Sequence, residues 1–143
     1  MRKLIMWNVL TLDGYFEGEE NWDLSFHELV WGKELEDFSR EQLKSADMLI
    51  FGYTTYKGMA EYWIKAAEDK AEGEIAQFMN KLPKVVCSRK LKTADWNNTT
   101  IVRDAAVEIP ELKQQGSGDM FVFGSGNLSE SLMKAELIDE YRF

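Results

Sequence analysis

Residues 119–132 read DMFVFGSGNLSESL, and this stretch decides the fold. Met120 to Phe123 form an apolar run too short for a helix and without polar alternation, the pattern of a strand buried on both faces of a parallel sheet. Gly124-Ser125-Gly126 ends the run, after which Leu128, Leu132 and Ala135 recur at helical spacing. Strand, glycine turn and helix in that order make half of a crossover unit. The glycines let backbone approach a ligand closely, and the next helix opens with unpaired N–H groups at its positive dipole end, a place for pyrophosphate. Ser129 stands where the usual dinucleotide fingerprint has its third glycine, so the turn gains meaning only beside others like it.

Working outward, short apolar runs recur at residues 4–10, 48–51, 85–87 and 101–102. Between them lie helical stripes: Leu35, Phe38 and Leu43; then Ala67, Ala71, Ile75, Phe78 and Met79. A further helix is expected to begin near Pro110 and to stop at Gly116-Ser117-Gly118. Strands alternating with helices imply an α/β layered fold, and ligands in such sheets sit outside the carboxyl ends of the strands. Two more strand ends carry suitable groups. Residues 48–51 run into Gly52-Tyr53-Thr54-Thr55-Tyr56, where a threonine either caps the next helix or reaches a phosphate. Residues 85–87 run into Ser88-Arg89-Lys90, which is either a surface turn or a cationic seat for the extra phosphate of NADP.

The totals narrow the classes. A chain of 143 residues with 45% hydrophobic content is expected to fold as one domain, residues 1–143. A net charge of −8 disfavours nucleic acid and anionic membrane as partners. Cys87 is the sole cysteine, excluding an internal disulfide; it is read as a buried, inert thiol in a reducing compartment. The apolar run after Lys3 soon meets Asn8 and Asp13, so neither a signal nor a membrane span is expected and the protein is read as cytoplasmic. The acceptor-like triplets starting at Asn97, Asn98 and Asn127 are therefore chance matches. His27 is the sole histidine, which excludes a multi-histidine metal site.

Residues 4–16 (LIMWNVLTLDGYF), 48–63 (MLIFGYTTYKGMAEYW), 84–91 (KVVCSRKL) and 119–143 together resemble the dihydrofolate reductase superfamily. They are more closely similar to its bacterial branch typified by the reductase (RibD C-terminal) domain of riboflavin synthesis. The resemblance implies a three-layer α/β fold with a mainly parallel central sheet flanked by helices, and NADPH bound across the strand ends. It places Asn8 and Val9 near the nicotinamide and starts a mobile covering loop at Asp13-Gly14. Gly52, Thr54, Thr55, Ser88 and Arg89 fall to the adenosine-phosphate half, and Gly124, Ser125, Gly126, Asn127 and Leu128 to the pyrophosphate. Two departures stand out. Tyr53 occupies a position that is usually arginine in relatives, which leaves NADPH preference to Arg89. The usual C-terminal hairpin is missing after the strand ending near Arg142, so a second copy is expected to cover that edge in a homodimer.

The implied activity is hydride transfer to a small pterin-like or pyrimidine-like molecule. Folate reductases hold their substrate with a carboxylate on the first long helix; matching apolar stripes gives Glu34, counting back from Gly52 gives Glu36, and counting on from Trp22 gives His27. Glu34 is taken as the candidate catalytic and substrate-binding group, beside the reading that it serves the helix dipole. Trp22 heads a candidate stacking wall that also includes Trp31, Tyr53, Tyr56 and Trp63. Two other readings are a nucleotide-binding or assembly protein that has lost catalysis on this fold, and a purely structural chain.

Overall fold

Alternation along the strands builds two cores. The structure, a computed structural model, describes residues 1–68 and 73–143. Its strands are β1 (Leu4–Trp7), β2 (Ala46–Gly52), β3 (Lys84–Cys87), β4 (Thr99–Val102), β5 (Asp119–Phe123) and β6 (Glu140–Arg142). They pair in the order β4-β3-β2-β5-β1-β6, every pair parallel. Ile5, Leu49, Phe51, Val86, Phe121 and Phe123 point to one face, while Leu4, Met6, Ile50, Val85, Met120 and Val122 point to the other. A period of two thus gives each apolar run both faces to bury, which is why it shows no polar alternation.

Helices cover both faces. On the Phe121 side lie α2 (Lys33–Ser45), α3 (Tyr53–Glu68) and α4 (Gly73–Lys81), contributing Leu43, Tyr56, Ile75 and Met79. On the Met120 side lie α5 (Ala105–Lys113) and α6 (Gly126–Lys134), contributing Ile109, Leu128 and Leu132. The one-turn α1 (His27–Val30) sits in the long connection between β1 and α2. Helices on both sides of a parallel sheet give the expected three layers.

Several boundaries differ from the sequence reading. The stripe from Ala67 to Met79 is divided: Ala67 is exposed near the end of α3, Ile75 and Met79 are buried on α4, and Ala71 lies outside the described residues. Phe38 is exposed and meets Trp7 edge-on, and Ala135 is exposed beyond the end of α6. The first strand stops at Trp7; Asn8 next turns its side chain to the Gly124 amide while its own N–H still donates to the Arg142 carbonyl. Pro110 lies inside α5 rather than at its start, which is set by Asp104: its carboxylate accepts from the Ala106 N–H. Lys84, polar in sequence, is buried at the head of β3, donating to the carbonyls of Met79, Asn80 and Leu82 around the end of α4. Its ammonium rests 4.6 Å from the Trp96 ring, and burial pulls its pKa down to about 8.

Candidate functional site

Parallel pairing puts the carboxyl ends of β3, β2, β5 and β1 side by side on one edge of the sheet. Three of these ends are hydrogen-bonded to one another. The Gly52 N–H donates to Ser125 Oγ at 2.8 Å, and Ser125 Oγ donates to Thr55 Oγ1 at 2.7 Å. The Gly124 N–H donates to Asn8 Oδ1 at 2.7 Å. A side chain at Gly52 would bring a Cβ within 2.7 Å of Ser125 Oγ, so glycine is required for this close approach. Ser125 holds the left-handed conformation, φ 62° and ψ 70°, a strained state for a residue with a Cβ. No side chain caps α6, so its first-turn N–H groups are left to a ligand or solvent. Gly126 and Asn127 are exposed there, whereas the Leu128 side chain belongs to the core and offers only its backbone.

The β3 and β4 ends lie farther along the same edge. Ser88 Oγ accepts from the N–H groups of Lys90 and Leu91, closing the turn, and the Ser88 N–H continues the sheet by donating to the Val102 carbonyl. Arg103, which follows β4, donates from Nη1 to the Ser88 carbonyl at 2.7 Å. Arg89 and Arg103 are both exposed, so this corner carries two guanidiniums where sequence reading found one. Sequence gave no sign of Arg103 because 15 residues separate it from Ser88 and only β3–β4 pairing joins them. On α3, Thr54 is exposed, and Tyr53 is exposed with the Lys57 ammonium 5.7 Å from its ring centre. A cation one helical turn later thus stands over the Tyr53 ring. Open helix amides at one end and two exposed guanidiniums at the other are groups of the kind that hold anions.

Beside this edge, under the connection between β1 and α2, lies a cavity of about 700 Å³. Its walls include Trp7, Phe16, Trp22, Trp31, Tyr62 and Trp63, with Phe121 and Phe123 contributed by β5. Asn8, Val9, Thr55 and Gly124 line it too, so strand ends and cavity share residues. Trp22 seats against Gly58 of α3, where a Cβ would fall 2.3 Å from the indole. Of the proposed aromatic wall, Trp22, Trp31 and Trp63 line the cavity; Tyr53 does not, and Tyr56 is buried with its hydroxyl accepting from the Trp96 N–H.

Glu34 is exposed on the first turn of α2 and does not line the cavity, because that helix turns Ser39, Gln42 and Leu43 inward instead. Glu36 is also outside the lining and lies 3.9 Å from Arg40. His27 does line it; burial lowers the pKa of its imidazole, and Nε2 has no hydrogen-bond partner. Gln42 is buried, accepts from Arg142 Nη1 at 2.8 Å through Oε1, and leaves Nε2 without a partner. A guanidinium only donates, so it fixes the amide with oxygen outward and nitrogen toward the interior. The carboxylates on the lining are Glu17, half-buried and accepting from the Trp22 N–H, and Glu28, exposed at the rim. Asp13 and Gly14 lie at an exposed turn away from the lining, with Asp13 Oδ1 accepting from Thr11 Oγ1. Cys87 is half-buried at the end of β3, with its thiol pKa raised to about 12 by desolvation and by the nearby Glu108 charge. Among the described residues no group of three or more His, Cys, Asp or Glu side chains is placed to hold a metal, and no helix is long and apolar enough to cross a membrane.

Comparison with known proteins matches residues 2–143 to the family described as the RibD C-terminal domain. An uncharacterized protein of Bacillus subtilis (strain 168), YyaP, is 25% identical over 142 residues, spanning 99% of this chain and 72% of its own length. Among solved structures, a "putative riboflavin biosynthesis protein" from Shewanella sp. PV-4 superposes with a TM-score of 0.67 at 16% identity, covering 99% of this chain and 77% of that one.

Proposed function

The chain belongs to the RibD C-terminal domain family, and from that premise we propose that it is an NADPH-dependent reductase delivering a hydride to a small heterocyclic substrate, pterin-like or pyrimidine-like. The observation that carries the reading is shared membership: Asn8, Thr55 and Gly124 belong both to the hydrogen-bonded strand ends and to the aromatic cavity. A coenzyme seated on those strand ends would therefore meet a substrate held between tryptophans. When bound, the reduced nicotinamide supplies the hydride. Asn8 and Val9, on the cavity wall, would hold its ring. The first-turn amides of α6 hold the pyrophosphate, and Thr54 stands at the α3 terminus. Ser88, Arg89 and Arg103 hold the extra phosphate, and the Trp22 loop excludes water.

Oxidation of NADPH in the presence of a panel of pteridines and aminopyrimidines tests the activity directly. Arg89→Ala is expected to weaken NADPH by about tenfold or more, the worth of a charge-assisted hydrogen bond, while NADH changes little. Equal losses for both coenzymes would remove Arg89 from the phosphate site. One observation favours a second reading, a coenzyme-binding protein without catalysis: α2 faces the cavity with Ser39, Gln42 and Leu43 and no carboxylate. NADPH binding with no turnover across the panel selects that reading.

A further inference from the structure

The charge on the cavity wall restricts what can enter it. Glu17 and Glu28 line the cavity, and no Lys or Arg does so among the described residues. The Arg142 guanidinium stands behind Gln42 and is bonded to Glu140 as well as to the amide, so it presents no free cation to a ligand. The basic groups of the site lie elsewhere, at the β3 and β4 ends. What remains on the wall is mainly flat and apolar, with Trp7, Trp22, Trp31 and Trp63 beside the neutral amides of Asn8 and Gln42 and the His27 imidazole, whose pKa burial lowers.

Resting on the reductase reading, we infer that the substrate is a flat aromatic molecule without a phosphate or other negative charge, and that a positive charge on its ring favours binding. Two steps support this. A phosphate here would meet the half-buried Glu17 carboxylate and, at the solvent-screened rim, Glu28, with no Lys or Arg among the described lining residues to compensate. A cationic ring would gain from the same carboxylates and from the negative faces of the indoles. The volume accommodates a fused ring system beside the nicotinamide. Specificity then divides by charge: phosphates at the cationic corner, an uncharged or positive ring among the tryptophans.

Equilibrium binding of riboflavin, of its 5′-phosphate and of the cationic dye proflavine tests the inference, with the protein saturated in 2′-phospho-ADP-ribose to fill the phosphate sites of the coenzyme without the charged nicotinamide ring. Riboflavin is expected to bind about tenfold or more tightly than the phosphate, with proflavine at least as tight as riboflavin. Glu17→Gln and Glu28→Gln together should narrow the riboflavin-to-phosphate ratio and weaken proflavine. The amide at 17 keeps an acceptor for the Trp22 N–H, and unchanged thermal melting would show that the fold survives. Equal binding of riboflavin and its phosphate, an ordering unmoved by the two substitutions, or failure of all three ligands to bind would overturn the inference. NADP⁺ titration is read separately. Its failure removes the reductase reading, whereas good NADP⁺ binding with a preference for the phosphorylated ring removes only the charge rule.

Discussion

Gly58 shows how one missing side chain shapes the site. A methyl there would stand inside the Trp22 indole, whose backbone is itself in the left-handed region at φ 69°. In an exposed helix, Gly→Ala gains about 1 kcal/mol from helix propensity. In Gly58→Ala that gain is opposed by displacement of the indole, so stability is expected to change by less than about 1 kcal/mol while ring ligands weaken by about tenfold. Ligand titration beside thermal melting checks it; unchanged affinity would mean that Trp22 contributes no wall. The place of Trp22 was legible in the sequence because its loop is polar and follows a strand end. Gly52 and Gly124 were legible for the same reason, each ending an apolar run. Glu34 lies off the cavity lining, because the residues α2 turns to the cavity include Ser39 and Gln42, polar side chains that an apolar stripe passes over. Gln42 was invisible as a donor, since its orientation depends on Arg142, 100 residues away.

At the scale of elements, the strands were legible and their joints were not. Every strand but β6 was marked by an apolar run, whereas β6, Glu140-Tyr141-Arg142, was marked only by family likeness. Its approach is fastened by Asp139. That carboxylate accepts from the Leu4 N–H at 2.7 Å and from the buried Lys113 ammonium at 2.6 Å, tying the start of β1 to the last turn of α5. Desolvation pushes the Asp139 pKa up, but the Leu4 hydrogen bond and the Lys113 charge outweigh it and hold the carboxyl below its ordinary 3.8. A carboxyl more acidic in the folded chain than in the unfolded one stabilises the fold above that ordinary value and loses the contribution as pH falls below it. Asp139→Asn is therefore expected to cost about 2 kcal/mol near neutrality, less than for a fully buried pair because Asp139 is partly exposed. The melting gap between wild type and variant should start to narrow as pH falls below about 4 and close once the folded Asp139 carboxyl is itself protonated. A gap independent of pH would assign the loss to packing instead.

The sheet has two edges, β4 and β6, and exposed aromatic rings lie beside the second. Among the described residues β6 pairs with β1 alone, and Tyr141 and Phe143 beside it are 47% and 73% exposed, their rings 6.2 Å apart. Unpaired edge backbone with aromatic neighbours invites another strand. Antiparallel pairing of two copies about a twofold axis through Tyr141 would set Glu140 of each opposite Arg142 of the other, opposite charges across the strand pair. The −8 charge of each chain opposes association at long range, so salt should strengthen the dimer while screening that repulsion. Three residues of strand are too few alone for a stable interface of about 1,000 Å² or more, so Phe38, exposed against Trp7, is expected to join it. Mass measurement in solution should give a dimer that tightens as salt rises from low concentration. Tyr141→Lys, which adds a charge at the axis where the two copies meet, should release monomers with melting changed only through the lost association. A wild-type chain that stays monomeric at high micromolar concentration would remove β6 as the interface between copies.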